Sequence, residues 1–286
     1  MSKKILVLGS TGNVGSKVVN YLLDKKQYVK AAVRPGKSLS QKSEFIEQVE
    51  FDYTNKATFD MAFEGVDRIF FLSPPLDHEA PQKLNPFIDA AKAKGIKRFV
   101  LLSALGVDKA EGSALEIVEK HLKNSNVDYT IVRPTFFMEN FSQGWMAPSI
   151  KQGTLYVSAG EGKTGFIASE NIAEVVATVL SSSGHEKKEY NLTGPSLLDY
   201  HEVVKIISEK TGRNIKYIPI SDADMRAGAK QNGMPDSAIE YLSTLYHSVS
   251  AGYTAVLTNE VKNITGKEPI SLSAFAEKNK EKWLAS

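Results

Sequence analysis

The chain has 286 residues, long enough for one large domain or a domain with an appendage. Its 35 basic and 33 acidic side chains leave a formal net charge of +2, scattered along the chain, which argues against a nucleic-acid or polyanion binder. The absence of cysteine excludes disulfides, thiolate metal sites and cysteine nucleophiles, and no segment approaches the roughly 18 apolar residues of a membrane span.

The chain opens "MSKKILVLGS", basic and then apolar, but the apolar run is short and ends in a glycine loop, unlike a signal peptide. A cytoplasmic protein is therefore expected. The first β-like run, residues 5–8, enters "GSTGNVG", with glycines at 9, 12 and 15. Val14, Val18 and Leu22 then repeat at helical spacing. Strand, glycine turn and helix in that order fit a dinucleotide loop: Gly9 for the tight turn, Gly12 for backbone approach to a pyrophosphate, Gly15 for close helix packing. The helix N-terminus supplies free N–H groups for the phosphates.

The second run, residues 28–33, ends at "VRPGK". An acidic residue about 20 positions past the glycines would bind the ribose 2′-hydroxyl of NAD. That place holds Arg34, with Lys37 close by and no acidic residue before Glu44. An arginine fork suits a 2′-phosphate, which favours NADP(H) over NAD(H). The weaker run 48–51 leads to Asp52, either an adenine contact or a turn-former. Further runs at 68–72, 99–102 and 129–132 alternate with helix-like stretches carrying Phe59, Met61 and Phe63, then Leu84, Phe87, Ile88 and Ala91, then Leu115, Val118 and Leu122. The strands are apolar on successive residues, the pattern of a parallel sheet covered on both faces. The expectation is an α/β fold, a doubly wound parallel Rossmann-type sheet over residues 1–133. A smaller, mostly helical substrate-side region follows over 134–286, with some elements returning to the first domain.

"FFLSPP" (residues 70–75) closes the fourth strand at the sheet rim. There Ser73 and the prolines either wall the nicotinamide ribose or simply end the strand. After Pro134, "TFFMENF" sets Phe136, Phe137, Met138 and Phe141 around one amide, Asn140, with Trp145 beyond. This is either a slot for a flat conjugated molecule or plain core, and Asn140 is the informative member because an amide in an apolar run needs a partner. "NIAEVVATVL" reads as an amphipathic helix, "KEYNLTG" and "IKYIPI" as short strands, and the chain from about Ser221 as helical. "GEGKT" lacks the first glycine of a P-loop, since Val157 stands there, and the five histidines show no metal spacing, so no metal is expected.

"GSTGNVG", "VRP", "FFLSPP", "VLLSALG", "VDYTIVRPTFFMENF", "GHEKKEYNLTGP" and "GMPDSAIEYLSTLYHSVSAG", in that order, resemble the NmrA-like group of atypical short-chain dehydrogenase/reductases. Within it the chain is most similar to the NADPH:quinone oxidoreductase and triphenylmethane-dye reductase branch. The resemblance runs through essentially the whole chain. It implies NADPH held by Gly9, Thr11, Gly12, Asn13, Val14, Gly15, Arg34, Lys37, Asp52, Ser73, Pro74, Ser103, Pro134 and Phe136. It also implies a cleft between the sheet rim and the C-terminal region, where Phe136, Phe137, Met138, Asn140 and Trp145 meet the substrate.

The superfamily's Tyr-x-x-x-Lys pair is missing. Its Ser place is Ser103, but the Tyr and Lys places fall near Glu111 and Leu115, and Leu115 stands where the resembled branch tends to carry a histidine. Glu116/Lys120 and Glu119/Lys123 read as solvated pairs one helical turn apart. Ketone reduction needs a proton donor at the carbonyl, whereas a quinone, azo or cationic dye acceptor takes a hydride and draws any later proton from water. The expected activity is NADPH-dependent hydride transfer to such acceptors without a dedicated acid, with Ser103 or Asn140 polarising an acceptor oxygen. The rival expectation is an NADP(H)-sensing regulator of the same family without turnover; an epimerase or ketoreductase is weakened by the missing tyrosine. The expected partner is a small aromatic or conjugated acceptor, with no nucleic acid and no membrane, and a homodimer is the assembly the sequence allows.

Overall fold

The computed structural model describes residues 3–39, 41–74 and 76–284. By internal contacts the chain forms two units. The first takes the residues up to Pro134 together with Ser169–Asn191 and Glu260–Gly266. The second takes Thr135–Ala168, Leu192–Asn259 and the residues from Lys267 on.

The first unit is built on strands β1 (Lys4–Val7), β2 (Val29–Val33), β3 (Ile46–Glu50), β4 (Val66–Leu72), β5 (Arg98–Leu102) and β6 (Asp128–Pro134). With β8 (Lys188–Leu192) they form a seven-stranded sheet in the order β3-β2-β1-β4-β5-β6-β8. The first six pair in parallel, with Ile5 opposite Val29 and Arg68, and Arg98 opposite Asp128. The order reverses between β1 and β4, the switch point of a doubly wound Rossmann-type sheet. Four helices join these strands: α1 (Gly15–Asp24), α2 (Phe59–Phe63), α3 (Ala80–Ala93) and α4 (Ala114–Asn124).

Helical spacing decides which apolar residues reach the core. Val18, Leu22, Leu84, Phe87, Ile88, Val118 and Leu122 are all fully buried. Phe59, Met61 and Phe63 do not share one face: Phe59 and Phe63 are buried, while Met61, two residues from each, is 69% exposed. Lys30 lies in the middle of β2 yet is 1% exposed. Its ammonium donates to the carbonyls of Met61 (2.8 Å) and Glu64 (2.9 Å), satisfying the C-terminal end of α2.

After an excursion through the second unit the chain re-enters the first as α7 (Ser169–Ser181) and β8. The C-terminal carbonyls of α7 are held by arginines at the starts of two strands, Arg68 to Leu180 O (2.7 Å) and Arg98 to Ser182 O.

The second unit contains two short strands, β7 (Thr154–Val157) and β9 (Lys216–Pro219), paired in parallel. β7 was not expected; four residues of weak alternation carry too little local signal. Around them lie α5 (Glu139–Ser142), α6 (Ala147–Lys151), α8 (Tyr200–Thr211), α9 (Asp222–Gln231), α10 (Asp236–Ser250), α12 (Leu272–Asn279) and α13 (Glu281–Leu284), while α11 (Glu260–Thr265) belongs to the first unit. Phe141, Phe166, Tyr200 and Tyr246 stand in its core, with the Trp283 indole N–H donating to Phe141 O at 2.6 Å. Among the described residues no helix is long and apolar enough to cross a membrane.

Gly194 passes so close to Phe166 that a β-carbon there would lie 1.9 Å from the Phe166 carbonyl oxygen. Gly194→Ala is therefore expected to destabilise the protein by about 2 kcal/mol or more, read as a lowered midpoint of urea unfolding.

Candidate functional site

The glycine loop leaves β1 with the Leu8 N–H on Phe70 O (2.9 Å) and turns at Gly9, whose φ is +65°, with Gly12 N–H on Gly9 O at 2.8 Å. A β-carbon on Gly15 would lie 2.1 Å from Gly9 O, so only glycine lets α1 start this close to the strand. Ser10 is buried and donates to Ala32 O at 2.6 Å, tying the loop to β2. No side chain caps α1, whose flanking residue is the buried Val14, and the Ser16 N–H donates to Gly12 O at 3.1 Å; a helix start of this kind can serve as an anion site. Thr11 and Gly12 are exposed beside it.

Two residues missed in the sequence complete this loop. Lys17 Nζ donates to Asn13 Oδ1 (2.7 Å), Asn13 O (3.0 Å) and Ser169 Oγ (2.7 Å), and Ser169 Oγ donates to Asn13 Oδ1 at 2.9 Å. The Asn13 side chain is thereby locked to the first residue of α7. Nothing local in "GNVGSK" names a partner 156 residues away.

Beyond β2, Arg34 and Lys37 are exposed. Among the described residues the Arg34 guanidinium has no hydrogen-bond or ion-pair partner. Gln48 on β3 holds down the loop that follows, its Oε1 accepting from the Leu39 N–H at 2.9 Å. Asp52 works as a turn-former: one carboxylate oxygen accepts from the Thr54 N–H and hydroxyl, both at 2.8 Å, and these bonds hold its carboxyl below the ordinary aspartate range. Ser73 donates to Pro74 O at 3.0 Å and Pro74 is exposed; Pro75 lies outside the described residues.

At the C-terminal end of β5 sits Ser103, 7% exposed. Its hydroxyl donates to Glu119 Oε1 at 2.5 Å. Glu119 is 1% exposed and takes a two-pronged contact from Arg133, Nε to Oε1 at 2.9 Å and Nη2 to Oε2. Arg133 Nη2 also donates to Glu189 on β8 at 2.6 Å, and Lys123 Nζ stands 2.7 Å from the other Glu189 oxygen. Burial alone would lower the Arg133 pKa, but its bonds to the two carboxylates outweigh that and raise it. The solvated reading of α4 is corrected for Glu119, which is buried against Arg133 with Lys123 4.0 Å away; Glu116, also buried, keeps its expected partner, the exposed Lys120. An arginine inside the apolar run "TIVRP" was the signal for this cluster. The Tyr place, Glu111, lies in the turn before α4 and the Lys place, Leu115, in its first turn.

In the second unit, residues 136–138 run beside 165–167: Ile167 N–H donates to Phe136 O (3.0 Å) and Met138 N–H to Ile167 O (2.9 Å). Met138 is 1% exposed and Phe141 fully buried, so both belong to the core, whereas Phe136, Phe137 and Asn140 are half-buried. Among the described residues the Asn140 amide has no hydrogen-bond partner. Trp145 is 48% exposed and packs edge-on against Tyr246, ring centroids 5.8 Å apart. Pro134, the last residue of β6, is buried. Among the described residues no group of acidic and histidine side chains converges as a metal site.

Residues 1–250 match the model of the NmrA-like family. The chain belongs to that family. It is 34% identical to agroclavine dehydrogenase of Claviceps fusiformis over 98% of both chains. It is 31% identical to the NAD(P)H azoreductase of Xenophilus azovorans over 96% of each. The crystal structure of an NADPH-dependent quinone oxidoreductase of Escherichia coli, complexed with NADPH, superposes with a TM-score of 0.85. That match has 26% identity and covers 96% of this chain and 98% of the other.

Removing the Glu119 carboxylate leaves Arg133 buried with Glu189 as its remaining described ionic partner. Glu119→Ala is expected to cost about 3–5 kcal/mol of stability, checked by urea unfolding.

Proposed function

We propose that this oxidoreductase of the NmrA-like family uses NADPH to reduce quinones or related conjugated acceptors such as azo and triarylmethane dyes. The observation that carries the reading is the pairing of a glycine loop with Arg34. The loop leaves no room for a Gly15 β-carbon, and Arg34 stands exposed beyond β2 with no hydrogen-bond or ion-pair partner among the described residues. The residues present fit the cofactor. The α1 N-terminus and the loop amides suit the pyrophosphate, and Arg34 with Lys37 suits the 2′-phosphate. Bound there, NADPH supplies a hydride.

The protein's own contribution is binding and orientation. Ser10 and the Lys17–Asn13–Ser169 bonds hold the loop in the shape that receives a dinucleotide. Phe136, Phe137 and Trp145 retain surface for a flat apolar ring, and the Asn140 amide retains capacity for one polar contact. No tyrosine on α4 offers a proton, which suits acceptors whose reduced form is a delocalised anion or a neutral product protonated by water. The names of the E. coli quinone oxidoreductase and the Xenophilus azoreductase support the same acceptor class.

The test is spectrophotometric. NADPH absorbance should fall in an acceptor-dependent way with members of a panel of quinones, azo dyes and triarylmethane dyes; tight NADPH binding with no such loss would leave a nucleotide sensor instead. Arg34→Ala should weaken NADPH binding by roughly ten-fold or more while changing NADH binding little. Equal losses for the two nucleotides would remove Arg34 from the 2′-phosphate.

A further inference from the structure

Ser103 occupies the superfamily's serine place at the end of β5, yet its bonding differs from that of a group meant to polarise a carbonyl. A serine hydroxyl carries one proton. Here that proton points inward, to a Glu119 oxygen 2.5 Å away. Glu119 in turn is 1% exposed and gripped by Arg133 through both oxygens, and Arg133 is itself 3% exposed. A carboxylate held this way accepts hydrogen bonds and has none to give. Turning the Ser103 hydroxyl outward would break a buried charge-assisted bond, a penalty of roughly ten- to a hundred-fold in population. What Ser103 can offer outward is lone-pair density.

We propose that Ser103 recognises its ligand as a hydrogen-bond acceptor, favouring a conjugated ring that presents an O–H or N–H group, and that Glu119 and Arg133 are the positioning residues that impose this polarity. The inference rests on the proposed function in taking a conjugated ring as the ligand; that the ring reaches the C-terminal end of β5 is part of the inference itself. Ser103 then does not activate a quinone oxygen. It holds the hydroxyl of the reduced form, or a hydroxyl or amino substituent of the acceptor. Reduction of a quinone adds one hydride and one proton, and with the Ser103 proton committed to Glu119 that proton comes from water. The carboxylate therefore sets which ligands dock.

The polarity is read by binding, without turnover. Protein saturated with NADP⁺ is titrated calorimetrically with hydroquinone and with 1,4-dimethoxybenzene, the same ring without a donor. Wild type is expected to prefer hydroquinone by about three- to ten-fold, the worth of one hydrogen bond. Ser103→Ala should abolish the preference and Ser103→Thr, which keeps the hydroxyl, should retain it. Glu119→Gln should reduce the preference in the presence of Ser103 and change nothing in the Ser103→Ala background, since the two act as one unit. Equal binding of the two rings by wild type, or a preference that survives Ser103→Ala, overturns the proposal. A preference untouched by Glu119→Gln in folded protein overturns the positioning role. NADPH oxidation by p-benzoquinone, run on the same wild-type sample, reports separately on the proposed function, so a protein without turnover still decides the question of polarity.

Discussion

A guanidinium buried in a parallel sheet has to be neutralised where it stands, and Arg133 does this through two elements at once. Its charge sits on β6 at 3% exposure; Glu119 comes to it from α4 and Glu189 from β8. With Lys123 on Glu189, two cations face two anions, and the cluster is neutral as a whole. Burying either partner alone would cost several kcal/mol, so the cluster ties the helix and the edge strand to β6. Ser103 is drawn into the same cluster, which is why the polarity of its hydroxyl is a property of the fold rather than of the serine.

The cofactor loop depends on a comparable long-range bond. Steric exclusion at Gly15 shapes the turn, but the Asn13 side chain is fixed by Lys17 and by Ser169, the residue at which the chain re-enters the first unit. Arg68 and Arg98 hold the other end of the same helix by its carbonyls. A loop anchored to both a strand and a clamped helix is the rigid support that orientation of a dinucleotide requires.

The chemistry follows from what surrounds these anchors. Helix α4 carries no tyrosine, and the Ser103 hydroxyl at the end of β5 donates to Glu119. That arrangement suits acceptors whose electron deficiency is delocalised over a conjugated system, for which placement of the ring matters more than protonation of one atom.

Features governed by short-range periodicity were legible in the sequence alone: the parallel strands, the glycine turn, the amphipathic helices and the arginine that ends β2. Each depends on spacing within a few residues, through the strand period of two and the helix period near 3.6. Features governed by what packs against a face were not legible. Glu119 lies at a spacing that fits a solvated helix edge equally well, and its bonds to Arg133, on a different strand, hold it inward. Met138 and Phe136 are two residues apart in one aromatic run, yet Met138 is sealed in the core while Phe136 is half-buried, a division that the strand period does not give. The short β7, unlike the expected β9, gave no local signal and is a strand through its pairing with β9. The amino-acid sequence by itself determined the nucleotide loop and the sheet that carries it, because those rest on local sterics and backbone bonding. The tertiary structure alone decided which charges are buried and which way the Ser103 proton points, because desolvation and hydrogen-bond partnership are set by residues distant in the chain.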